Sequence, residues 1–168
     1  MLKVIFDTNI YGLLLKEKDV AEIEEKIRLE KDFIVYGYVL VRKELRDIPK
    51  VTKLSKKTRI LLLSMYDRIT GNHLFQNSAK ITNLAKKYYD YYRYQGGIYG
   101  WDTNIRIDFM LVACASLHGL DIIYSADDRT LLSKKALKSY KHINIKENLR
   151  TPEFLDYVSL LRKFRGLL

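Results

Sequence analysis

Residues 2–6, LKVIF, make a strand-forming run that stops at Asp7, Thr8 and Asn9. A short β-branched run ended by capping residues predicts a buried strand followed by a helix from about Thr8. Apolar residues then recur at helical spacing in DVAEIEEKIRLEK, Asp19 to Lys31, and FIVYG at 33–37 predicts a second strand. YVLVRKELRDI predicts a short helix stopped by Pro49. SKKTRILLLSMYDRI at 55–69 predicts another, with Ser55 as N-cap and Gly71 closing it. HLFQ at 73–76 is a short strand candidate and SAKITNLAKKYYDYYRY at 78–94 a long helix. QGGIYGWDTN, from Gln95 to Asn104, is the only glycine-rich loop, and IRIDFMLVACASLHG after it reads as a helix ending at Gly119. LDIIYSAD predicts a strand and turn, DRTLLSKKA a helix, and HINI at 142–145 a last strand. TPEFLDYVSLLRKF predicts the final helix, with Thr151 as N-cap and Pro152 at its first position. Strands alternating with helices imply an α/β sandwich with a largely parallel central sheet, and 168 residues suit one domain.

Composition narrows the class. With 48% hydrophobic residues, 30% charged and two prolines, the chain is built for a compact core rather than disorder. The longest apolar runs, ILLL at 60–63 and FMLVACA at 109–115, fall far short of the roughly 20 residues a membrane span needs. No basic-apolar-cleavable leader pattern opens the chain, so cytoplasmic residence is the expectation. The single cysteine, Cys114, excludes an internal disulfide framework and a thiolate zinc cluster. It sits in an apolar helical pattern as a buried structural residue, and His73, His118 and His142 have no evident nucleophile to serve.

The formal charge of +10 is unevenly placed. Residues 41–95 hold 13 Lys and Arg against 4 acids, and residues 129–168 hold 10 against 3. Residues 1–40 and 96–128 are net acidic, at −2 and −4. A polyanion could be held by the basic segments while chemistry is done in the acidic ones; a lysine-rich soluble surface would give the same count.

The acidic residues carry the candidate chemistry. In an open parallel sheet, ligands gather beyond the carboxyl ends of the strands. Asp7 directly follows VIF and Asp127 directly follows IIYSA. Glu44 lies in the helix after the second strand, and Asp108 near the start of the helix that feeds the strand ending at Asp127. One acid at a strand end is ordinarily a helix cap; four converging from four segments repel one another and raise each other's pKa. A divalent cation, Mg²⁺ or Mn²⁺, removes that conflict, since both prefer oxygen ligands.

In VIFDTN at 4–9, VRKEL around Glu44 and IDFMLVACASLHGLDIIYSADDRTL from Ile107 to Leu131, and in their order, the chain resembles a PIN domain, the metal-dependent ribonuclease fold of VapC-type toxins of prokaryotic toxin-antitoxin pairs. The resemblance implies a PIN-like α/β/α sandwich over residues 1–168. It places the family's acidic set on Asp7, Glu44, Asp108 and Asp127, with Thr8, Asn9 and Ser125 as orienting polar groups. Asp128, adjacent to Asp127, is an alternative fourth acid, and Asp102 a further candidate. The implied activity, toxin-like or RNA-processing, is hydrolysis of RNA phosphodiesters by water activated on one or two Mg²⁺ or Mn²⁺ ions, and the implied protein partner is an antitoxin. The resemblance is thin between about 50 and 105, and a basic, aromatic-rich helical segment is expected at about 50–101.

KKYYDYYRYQGGIYGW, from Lys86 to Trp101, puts six tyrosines and the only tryptophan in a short span. Lys86, Lys87, Arg93 and Tyr94 are candidate RNA contacts, because aromatic faces interleaved with cations can stack bases and neutralise phosphates. The competing expectation is that Tyr88, Tyr91, Tyr92 and Tyr99 pack into the core or against a second copy in a homodimer. A noncatalytic RNA-binding or scaffold module on the same fold would be betrayed by a missing acid. A phosphoaspartyl phosphatase would want Asp at position 9, where this chain has Asn.

Overall fold

The computed structural model describes residues 1–52 and 56–166, with the backbone alone at 49–52. Among these residues five strands, β1 (Leu2–Phe6), β2 (Phe33–Tyr38), β3 (Leu74–Phe75), β4 (Ile122–Tyr124) and β5 (Glu153–Leu155), form one sheet in the order β3-β2-β1-β4-β5. Every pairing is parallel. Among the described residues eight helices flank it: α1 (Thr8–Leu15), α2 (Val20–Leu29), α3 (Val39–Thr52), α4 (Lys56–Thr70), α5 (Ala79–Tyr94), α6 (Ile105–Leu117), α7 (Lys134–Lys146) and α8 (Tyr157–Arg165). α4 packs against α1, α2 and α3, α5 packs against α6 and α7, and α3 also meets α6. No helix among the described residues is long and apolar enough to cross a membrane.

A sheet covered on both faces needs strands apolar on both faces, which is why LKVIF and IIY are runs rather than alternations. Val4, Ile5 and Phe6 are fully buried in the central strand. Phe6, Phe33 and Tyr124 from three strands join Phe164 of α8 in one aromatic cluster. Tyr88 and Tyr92 of α5, Phe109 of α6 and Tyr140 of α7 form another. α6 is buried along nearly its whole length, as its small and apolar residues require.

The carboxyl-terminal third departs from the pattern read along the chain. DRTLLSKKA is mostly turn, and α7 begins only after Ser133, whose side chain accepts from the Ala136 N–H. HINI lies inside α7: Asn144 is buried and bonded to Tyr88, Ser116 and Thr151, while Ile145 faces outward. The last strand is instead EFL, which pairs with the otherwise open edge of β4. Pro152 precedes it and begins no helix; Asp156 caps α8 by accepting from the Ser159 N–H at 2.8 Å. Pro49 also fails as a stop, since α3 continues to Thr52. Proline removes one helical hydrogen bond, and here that does not end the element. The expected Ser55 cap lies outside the described residues.

Candidate active site

β1 and β4 are neighbours in register, Phe6 opposite Tyr124, and the Asp7 N–H continues the ladder to the Tyr124 carbonyl at 2.9 Å. Asp7 and Ser125 therefore emerge side by side beyond the carboxyl edge of the sheet. Asp7 caps α1, its Oδ1 accepting from the Thr8 N–H at 2.8 Å, and its Oδ2 accepts from Ser125 Oγ at 2.8 Å and Asn9 Nδ2 at 3.2 Å. Asn9 Oδ1 takes the Ala126 N–H at 3.1 Å, and the Asp127 N–H donates to Ser125 Oγ at 3.1 Å. These bonds stitch the end of β1 to the end of β4.

Asp108 comes in from the first turn of α6, where it is buried. Asp127 caps the turn before α7, accepting from the Arg129 and Thr130 N–H groups at 3.0 Å each. Thr130 Oγ1 lies in short hydrogen-bond contact with both Asp108 Oδ2 and Asp127 Oδ2. Carboxylate oxygens of Asp7, Asp108 and Asp127 lie within 4.8 Å of one another. Glu44, half-buried on α3, stands just outside this trio and is tied to it through Thr8 Oγ1, which donates to Glu44 Oε1 at 2.6 Å.

Electrostatically the arrangement is unfavourable as it stands. Burial pushes Asp7 up to about 6 and outweighs the bonds from Ser125 and Thr8. Burial and the facing Asp7 charge push Asp108 well above the ordinary carboxylate range. Glu44 is raised by burial too, with a smaller push from Asp127. Among the described residues no lysine or arginine forms an ion pair with any of the four. A hydroxyl has one proton, so Thr130 cannot donate to two ionised carboxylates at once. Acceptor-only oxygens gathered without a cation, and with no nitrogen or sulfur ligand among them, fit a hard divalent ion such as Mg²⁺ or Mn²⁺.

Asp128 and Asp102 are exposed and outside the trio. Lys86 is exposed on α5, Lys87 pairs with Glu147 at 2.6 Å, Arg93 donates to the Ile98 carbonyl at 3.3 Å, and Tyr94 is 85% exposed. Tyr88 and Tyr92 are core residues, whereas Tyr91 stacks on His142 with ring centroids 4.0 Å apart. Thr130 and Arg129 were not singled out from the sequence, and Tyr99 was expected there only as a packing residue. Thr130 bridges two acids, and Tyr99 and Arg129 line a cavity of about 290 Å³ that opens on Asp127. Thr130 was legible as a hydroxyl three residues after a capping Asp, the spacing of a turn closed by its own side chains.

No family model and no curated protein matches the chain. Solved structures do. A chain of DNA-bound VapBC from Salmonella typhimurium superposes with a TM-score of 0.60 at 15% identity, over 94% of this chain and 99% of that one. FitAcB from Neisseria gonorrhoeae gives 0.60 at 14%, over 92% and 98%. VapBC2 from Rickettsia felis, bound to a DNA fragment from their promoter, gives 0.58 at 16%, over 92% and 98%. At such identities the likeness is one of fold: the chain has the PIN-type α/β architecture of these VapBC and FitAB structures.

Proposed function

We propose that this chain is a metal-dependent endoribonuclease of the toxin-like PIN type, hydrolysing RNA phosphodiester bonds. The observation that carries the reading is the trio of Asp7, Asp108 and Asp127, gathered within 4.8 Å at the carboxyl edge of a parallel sheet. In this reading the trio holds one or two Mg²⁺ or Mn²⁺ ions, and Glu44 orients water or a second ion from its position behind Thr8. A bound divalent ion supplies Lewis acidity, making water a nucleophile near neutral pH and stabilising charge on the phosphoryl oxygens.

The chain's own residues do the positioning. Ser125 and Asn9 fix Asp7 Oδ2, the Arg129 and Thr130 N–H groups fix Asp127 Oδ1, and Thr130 Oγ1 sets the spacing of Asp108 and Asp127. A rigid frame of this kind lets the acids face an incoming phosphodiester without rearrangement. The VapBC and FitAB neighbours also support a small antitoxin protein as partner, and assembly into an oligomer in which a homodimer is the simplest unit.

The test is cleavage of a mixed structured and single-stranded RNA pool by wild type and Asp108→Asn, with Mg²⁺, Mn²⁺ or EDTA. Cleavage that requires the metal and falls at least about 100-fold in the variant is expected. Persistent cleavage by a folded Asp108→Asn protein removes the site assignment, and RNA binding without cleavage in any metal leaves a noncatalytic binding module.

A further inference from the structure

Outside the acidic site, the most unusual surface is the seam where α5 and α7 run antiparallel. Its rungs follow in order. Gln95 Nε2 donates to the Lys135 carbonyl at 3.1 Å and to Ser139 Oγ at 2.9 Å. One step along, Tyr91 lies flat on His142, with an interplanar angle of 10°. At the far end Lys87 meets Glu147.

Tyr94 stands above the middle rung, its ring 5.9 Å from that of Tyr91, with 85% of its surface in solvent. Tyr94, tilted 32° to Tyr91, thus offers an exposed aromatic surface beside a stacked Tyr–His pair. The charge around it is predominantly positive: α7 carries five lysines and no acid, and α5 carries Lys80, Lys86, Lys87 and Arg93 against Asp90, with Lys87 paired to Glu147.

The seam connects to the acids. The cavity at Asp127 and Thr130 shares Tyr99 and Arg129 with a second cavity of about 410 Å³, whose wall includes Ser133, Lys134 and Lys135 at the start of α7. Ser133 already caps that helix, so the attraction here comes from side-chain cations rather than from the helix end. From Lys134 to His142 is eight residues, about 12 Å along the helix. Lys134, Lys138, Lys141 and Ile145 share its outward face, while Lys135 Nζ donates to the Gly96 carbonyl just past α5 and His142 stacks on Tyr91.

We propose that this seam is a track for single-stranded RNA: the strand leaving the acidic site passes Arg129 and Lys134, and its bases stack on the Tyr94–Tyr91–His142 ladder. The inference rests on the nuclease reading for its direction but not for its binding surface. It names unpaired RNA as the substrate class, because bases reach a flat ring only when they are splayed from a duplex. Cations supply the phosphate contacts and tyrosine the base contacts, so the two kinds of residue make separable predictions.

The experiment measures binding of fluorescein-labelled oligoadenylate to the full chain carrying Asp108→Asn, with Mg²⁺ present and over a range of salt. Adding Tyr94→Ala is expected to weaken binding about tenfold with the salt slope unchanged, and Tyr94→Phe to restore it. Adding Arg129→Ala with Lys134→Ala is expected to reduce the slope of log affinity against log salt by about 1.4. Duplex RNA of the same length is expected to bind more weakly and to ignore the Tyr94 changes. Wild-type affinity in both sets of variants overturns the track even if the wild-type chain cleaves RNA. Conversely, the expected losses in a chain that never cleaves RNA uphold the track and remove the nuclease. Capture of polyglutamate in place of RNA overturns it in favour of an acidic protein segment.

Discussion

The Asp7 carboxyl loses its solvent on folding and is pushed from 3.8 to about 6, even though Ser125 and the Thr8 N–H both bond to it. Keeping it ionised in the folded chain above pH 6 therefore costs about 3 kcal/mol relative to the unfolded chain. The sign follows from the direction of the shift. Because the folded state binds the proton more tightly, stability contributed by the neutral form is fully present below about 4 and is lost as pH rises through 6. Asp108 moves the same way, for burial first and the Asp7 charge second. The metal-free chain is thus expected to melt at higher temperature at pH 5 than at pH 7, in EDTA, by differential scanning fluorimetry. Mn²⁺ is expected to reverse the order, because the ion competes with the proton for the same oxygens. A melting temperature that rises from pH 5 to pH 7 without metal would show that these acids are not held in the raised state. Thr130 belongs to the same balance: its single proton can satisfy one of the two facing oxygens, so a proton on Asp108 or a cation must serve the other.

At the level of elements, the loop between α5 and α6 shows how packing holds a functional surface. Gly97 is buried there with its N–H on the Tyr92 carbonyl, and a Cβ at this position would lie 2.3 Å from Tyr92 Cε1. Tyr92 in turn packs edge-on against Phe109 of α6, and its hydroxyl accepts from the Tyr99 N–H at 3.3 Å. Gly97→Ala must move that ring, at a cost of about 2 kcal/mol. The expected result is a melting temperature lower by roughly 5 °C, with weaker RNA binding as Tyr99 shifts; an unchanged melt would mean that Tyr92 has room to yield. The first two thirds of this architecture were legible because each element carries its own signal there: apolar runs for β1 and β2, helical spacing for α2, Ser78 before α5, Gly71 and Gly119 after α4 and α6. The last third was not, because HINI and EFL are equally plausible as local strands. What decides between them is remote: Asn144 is needed beside Tyr88 and Ser116, and β4 lacks a partner on its outer edge until Glu153–Leu155 pairs with it. The same division holds at the site. Asp7 and Asp127 stand out at strand ends and Asp108 at the head of an apolar helix, whereas Tyr99 and Arg129 come together beside Asp127 only when the loop before α6 packs near the turn before α7.

For the whole molecule, the charges oppose each other in a way that sorts binding from chemistry. The acids cluster where a phosphodiester would react, and an anion approaching them alone is repelled. The chain nevertheless carries +10, with its surplus in residues 41–95 and 129–168, while the segments 1–40 and 96–128 that hold the trio are net acidic. Long-range attraction from α5 and α7 can gather a polyanion and present one of its bonds to an acidic centre that would not otherwise hold it. These surface cations act through solvent and are screened over about 10 Å at 0.1 M salt. The contacts inside the trio are short and partly desolvated, and salt screens them much less. In the nuclease reading the two effects separate kinetically. Raising monovalent salt at saturating Mg²⁺ is expected to raise KM for a long single-stranded RNA steeply while kcat stays nearly level. A dinucleotide substrate, too short to reach the seam, is expected to show a much shallower rise in KM. Equal salt dependence for the long and short substrates would place all of the electrostatic attraction at the catalytic edge and none on the flanking helices.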